Sequence, residues 1–114
     1  MRLIEFAPGK ATPIDEFESR SAASVPLAHG NGEAHVHCLY IGPGGRIGAH
    51  RAGFAQLFLI VVGSGWVAGA DGHRVARSTG EGALFEAGEL HSKGSDTGIT
   101  AIMIQAAELA PPAR

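Results

Sequence analysis

Apolar and polar positions along this chain fall into short runs broken by glycine and proline, the pattern of many brief strands joined by tight turns. Ala34 to Ile41 reads as a strand by its β-branched and aromatic content. Gly42-Pro43-Gly44-Gly45 ends it, because proline fixes φ and glycine accepts positive φ. A further strand begins near Arg46. Gln56 to Val62, QLFLIVV, is apolar at nearly every position, which in a strand means that both faces are covered: one by a barrel interior, the other by a second sheet or subunit. Gly63-Ser64-Gly65 reads as a turn and Trp66 to Gly69 as the strand after it. Asp71-Gly72 carries the signal of a two-residue hairpin, with Val75 on the returning strand. Ala83 to Phe85 and Ile99 to Ile104 supply the later strands, and Ser92 to Gly98 reads as the polar turn between them. The Glu-Leu-Ala-Pro-Pro run from Glu108 ends regular pairing, since proline cannot donate to a ladder. Only Pro13 to Arg20 is predicted to form a helical turn.

Composition bounds this picture. At 114 residues the chain is expected to be one domain, residues 1–114, whose 17 glycines and 6 prolines are spread as in sandwiches and barrels. A domain this small buries only about two-thirds of its unfolded surface. Pairing with a second copy is therefore expected, through the outer face of the Leu57, Leu59 and Val61 strand and its neighbours. The formal net charge of −2 and the absence of a Lys/Arg stripe argue against nucleic acid and membrane as partners. The opening MRLIEFAPGK is too short an apolar stretch for a signal peptide, so a cytoplasmic location is expected. The single cysteine, Cys38, is expected to be a packed thiol inside its strand.

Two stretches carry the candidate chemistry. In the first, Gly44 is followed by His50, Ala52, Gln56 and Gly63; in the second, Gly80 is followed by Glu86, Gly88 and His91. The order and spacing resemble the two motifs of the cupin family, over roughly residues 35–105. The resemblance implies an all-β, cupin-like antiparallel β-barrel or jelly roll. It also implies a metal site, for which the first motif supplies two histidines and a glutamate and the second a third histidine. Carried over by position, the ligands here are His50, Gln56 and His91. Ala52 stands where the second histidine would be, and Gln56 offers a neutral amide oxygen where the carboxylate would be. A divalent ion (zinc, nickel, iron or manganese) is expected to be held weakly or not at all.

Around these positions Arg46, Ala52, Phe58 and His37 are candidate pocket residues. Arg46 has the parity of His50 and either clamps a carboxylate or reaches to solvent. His35 and His37 share one strand face, and either line the barrel or face solvent. Glu89 is a nearby carboxylate or a solvated turn acid. Phe54 is a pocket lip or a packed loop aromatic, and Phe58 and Trp66 are read as filling. Gln56 bonded to His50 without any ion is the plain alternative to a metal site. Three functions stay open: a degenerate cupin binding a small polar or carboxylated molecule, with or without an ion; a metal-dependent dioxygenase or isomerase; and an inert structural or regulatory subunit.

Overall fold

The computed structural model describes residues 1–112, most of them in strands, with a single 3-10 turn among the described residues at Pro8–Lys10. The strands are β1 (Arg2–Glu5), β2 (Thr12–Pro13), β3 (Ala23–Ser24), β4 (His29–Ile41), β5 (Gly45–Arg51), β6 (Ala55–Ala68), β7 (Arg74–Ser78), β8 (Glu81–Phe85), β9 (Leu90–Ser95) and β10 (Ile99–Ala110). All pairings are antiparallel. One sheet runs β1-β8-β6-β10-β4; the other is formed by β7, the second half of β6, β9 and β5. β6 belongs to both. Its first half pairs with β8 and β10 up to Gly63, and its second half pairs with β7 and β9 from Ser64 onward. Gly63, at φ +97°, makes the corner, so the predicted turn at Gly63-Ser64-Gly65 is a bend within one continuous strand.

The interior between the sheets is filled by Ile41, Phe58, Ile60, Val67, Ala83, Phe85, Ile99 and Ala101. A second apolar cluster lies on the outer face of the first sheet. There Leu57, Leu59 and Leu84 lie beside Ile4 of β1 on the same face, and Phe6, Leu27 and Leu109 pack against them. Burying each such leucine is worth about 1.5–3 kcal/mol. The run QLFLIVV is thus covered on both faces through Ile60, as its composition requires, but the outer cover at Leu57 and Leu59 is this chain's own amino-terminal segment.

Other expectations need correction. Ser92 to Gly98 is not a turn throughout, because β9 occupies Leu90–Ser95. Asp71-Gly72 lies in a five-residue connection between Ala68 and Arg74, where Gly72 N–H bonds the Gly69 carbonyl at 3.0 Å. β10 continues through Glu108-Leu109-Ala110, paired with His29 to Asn31, and stops only at Pro111. Pro13 to Arg20 forms no helical turn: it leads from β2 into a loop whose Phe17 and Glu18 hold φ of +61° and +54°. Cys38 is exposed, because it shares the outer sheet face with Val36 and Tyr40. Among the described residues no helix is long and apolar enough to cross a membrane.

Candidate functional site

The inner face of the first sheet is fixed by register. Ile60, Ala101 and Leu39 meet in the core, and one step toward the barrel mouth Phe58, Met103 and His37 lie across from one another. The next step brings Gln56, Gln105 and His35 together. Parity therefore puts His35 and His37 on the barrel side, the alternative left open by sequence, although both are exposed at the rim. His35 is held there by Glu33, at 2.6 Å from Nε2 to Oε2, and stacks on Phe54 with ring centroids 5.9 Å apart.

The opposite wall is made by β5 and β9. Arg46 pairs with Gly94 and Ile47 with Lys93, yet His50 pairs with His91, so β5 carries one extra residue between Ile47 and His50. This β-bulge reverses the alternation. Ile47 packs on the core and Arg46, expected to share the face of His50, is exposed on the other side. Arg46 leaves the candidate pocket.

His50 sits over His91 with ring centroids 4.6 Å apart, and the Phe85 ring lies 4.4 Å from the His91 ring on another side. His50 is exposed; its Nδ1–H donates to the Gly48 carbonyl at 2.8 Å, which leaves Nε2 free as an acceptor. His91 is 1% exposed, and neither of its ring nitrogens has a hydrogen-bond partner among the described residues. Burial, followed by the nearby charges of Lys93 and His50, pushes its pKa down to about 4, against an opposing pull from Glu89. His91 is neutral at physiological pH.

Lys93 is the residue that sequence reading passed over. It stands two positions along β9 from His91 on the same face, is 1% exposed, and donates from Nζ to the Oε1 of Gln56, itself 2% exposed. The ammonium lies 4.9 Å from the Phe58 ring centroid and 5.2 Å from that of Phe85. Burial lowers its pKa to about 8. None of the ion pairs among the described residues includes it. Gln56 therefore bonds Lys93, where sequence reading paired it with His50 or an ion. The signal that could have found Lys93 was spacing, since His91, Lys93 and Ser95 alternate as a strand face does.

The remaining candidates take simpler places. Phe58 is fully buried as the floor beneath Lys93. Ala52 is buried and pinned by its backbone, its N–H bonding the Glu89 carbonyl at 3.0 Å and its carbonyl accepting from Gly88 N–H at 2.8 Å. Glu89, near enough to act on the His91 proton, gives its carboxylate oxygens to the amino terminus of Met1 and the Glu86 N–H. Trp66 is stacked under the Arg74 guanidinium, 3.8 Å from its centroid.

These residues do not fit a divalent ion. His50 and His91 supply two imidazoles, but the oxygen of Gln56 is taken by an ammonium, and that positive charge, near enough to His91 to lower its pKa, opposes a second cation. No group of three or more His, Cys, Asp or Glu residues with metal-holding geometry occurs among the described residues.

No family model matches the sequence, and no curated protein does. Solved structures do. A cupin-like protein from Thermotoga maritima superposes at a TM-score of 0.63 with 18% identity, over 82% of this chain and 82% of that one. An RmlC-like cupin with a double-stranded β-helix fold, from Methanocaldococcus jannaschii, gives 0.60 and 9% over 89% and 88%. A cupin superfamily protein from Desulfitobacterium hafniense gives 0.60 and 12% over 70% and 75%. At such identities what is shared is the fold: two antiparallel sheets joined through β6, the double-stranded β-helix arrangement of those cupin structures.

Proposed function

We propose that the barrel mouth binds a small carboxylated molecule directly on side chains, without a metal ion. The observation that carries this reading is a pair of unmet needs side by side. His91 is buried with both ring nitrogens unpartnered, and Lys93 is a buried ammonium with a neutral amide as its hydrogen-bond partner and no anion. Buried polar groups are normally satisfied and buried charges normally paired, so a ligand bringing an anionic oxygen accepts from the Lys93 ammonium and from the one N–H of the neutral His91 ring. The exposed His50, His37 and His35 border the entrance and offer further polar contacts. A metal-dependent dioxygenase or isomerase finds no support in this donor set, which lacks a carboxylate.

Titration with acetate, malonate and succinate, followed by the ring resonances of His50 and His91, tests the reading. The expected result is a saturable shift for at least one of them below about 10 mM, lost in His91→Phe. No saturable shift with any of the three would favour the inert subunit instead, a reading that the near-complete burial of Phe58, Phe85, Lys93 and Gln56 supports.

We propose further that the chain pairs with a second copy, through β4 rather than through the covered Leu57 and Leu59. Val36, Tyr40 and Val62 are 66%, 79% and 62% exposed on the outer face, and β4 is an edge strand of 13 residues. Long apolar edges of this kind are ordinarily covered.

A further inference from the structure

We propose that Lys93 is a built-in cation that takes the place of a divalent ion in this barrel, so that the site rejects metal and receives a carboxylate instead. The geometry is specific. Gln56, at the position where the family resemblance implies an anionic ligand, gives its oxygen to the lysine ammonium, and His91 lies on the same strand face two residues away. Amide and ammonium thus meet directly, and the ammonium and the His91 imidazole share the Phe85 ring. The enclosing groups are rings: Phe58 and Phe85 face the ammonium, and Phe85 also faces His91. Aromatic faces stabilise a single positive charge but cannot neutralise it, and they present no donor to a second one.

The three departures from a metal-holding set then form one consistent change. A carboxylate at position 56 would close a buried ion pair with Lys93 and leave no charge for a ligand. The amide found there orients the ammonium and leaves its charge uncompensated. Alanine at position 52 removes an imidazole that a fixed cation has no use for. A divalent ion entering this site meets like charge in a low-dielectric interior, whereas a carboxylate meets opposite charge and an imidazole with free nitrogens.

The metal half of this inference stands on charge and geometry alone; the ligand half rests on the binding function proposed above. Zinc chloride titration by calorimetry separates them, using the wild type, Ala52→His/Gln56→Glu, and the same pair combined with Lys93→Met. The wild type should give no saturable heat, and the triple variant should bind zinc saturably and at least about 100-fold more tightly than any binding by the double. Equal binding by double and triple variants would overturn the built-in cation. Should the triple variant fail to fold, Lys93→Met alone supplies the comparison: zinc should shift the His50 and His91 ring resonances in that protein and not in the wild type, and equal shifts in both would overturn the proposal. For the ligand half, the malonate shift of His91 should vanish in Lys93→Met. A wild type that responds to malonate while the double variant binds zinc as tightly as the triple keeps the pocket and removes the built-in cation. A wild type blind to malonate, beside a triple variant that alone binds zinc, keeps the metal exclusion and removes the carboxylate.

Discussion

His91 and Lys93 each hold a proton less firmly than they would in water, and both deviations have the same consequence for stability. His91 titrates near 4 in the folded chain and near 6.5 when unfolded. Between those values the unfolded chain takes up a proton that the folded one refuses. The associated stability is complete above pH 6.5 and lost as pH falls toward 4, by about 3 kcal/mol in all. Lys93, at about 8 folded against 10.5 unfolded, gives a second interval of the same sign: stability rises with pH from 8 to 10.5. Urea midpoints at pH 7 and pH 4.5 should therefore differ less in His91→Phe than in the wild type; an unchanged difference would refute the assignment. Of the site, His50, Gln56 and His91 were legible from spacing in the sequence. Lys93 was not, because lysine is almost never fully buried and a Ser-Lys-Gly run reads as solvent-facing.

The same inversion explains what was missed among the elements. β9 buries His91, Lys93 and Ser95, each 1% exposed, so its inward face is polar, and a reading by hydrophobicity assigns it to a turn. Ser95 meets its needs locally, donating to the Ser64 carbonyl at 2.6 Å and accepting from the Thr97 and Gly98 N–H groups. The strands β4, β6, β8 and β10, whose inward positions are apolar below the rim, were visible, β6 as two pieces and the others with ends drawn short where pairing and not composition sets the limit. Two glycines let neighbouring strands approach closely. A Cβ at Gly82 would run into the Phe58 carbonyl oxygen, and one at Gly94 into the Trp66 ring. Gly82→Ala should lower stability by more than about 2 kcal/mol in urea denaturation, since backbone sits on the far side and cannot swing away as a side chain can. A loss below about 0.5 kcal/mol would mean that β6 and β8 are more loosely paired than described.

For the whole molecule the resemblance drawn from two motifs led to the right fold because glycines at strand ends and the run QLFLIVV specify a barrel whatever the barrel holds. It led less well to chemistry, which depends on which side chains the register turns inward. The pairing surface proposed above is narrower than the sequence suggests for a physical reason: Leu57 and Leu59 are already buried with Ile4, Phe6 and Leu27, whereas Val36, Tyr40 and Val62 on the same sheet's outer face are exposed. Light scattering coupled to size exclusion should give a dimer for the wild type and a monomer for Tyr40→Glu. A monomeric wild type, or a dimer indifferent to that substitution, would rule out this surface.

The bulge in β5 has a consequence for changes of chain length. Gly48 and Ala49 together oppose a single residue of β9, so removing one of them regularises the ladder and still leaves His50 across from His91. On the other side of His50 there is no such slack, because Ala52 is tied by both its N–H and its carbonyl to the Gly88-Glu89 turn. The two imidazoles should thus tolerate a deletion before them and not one after.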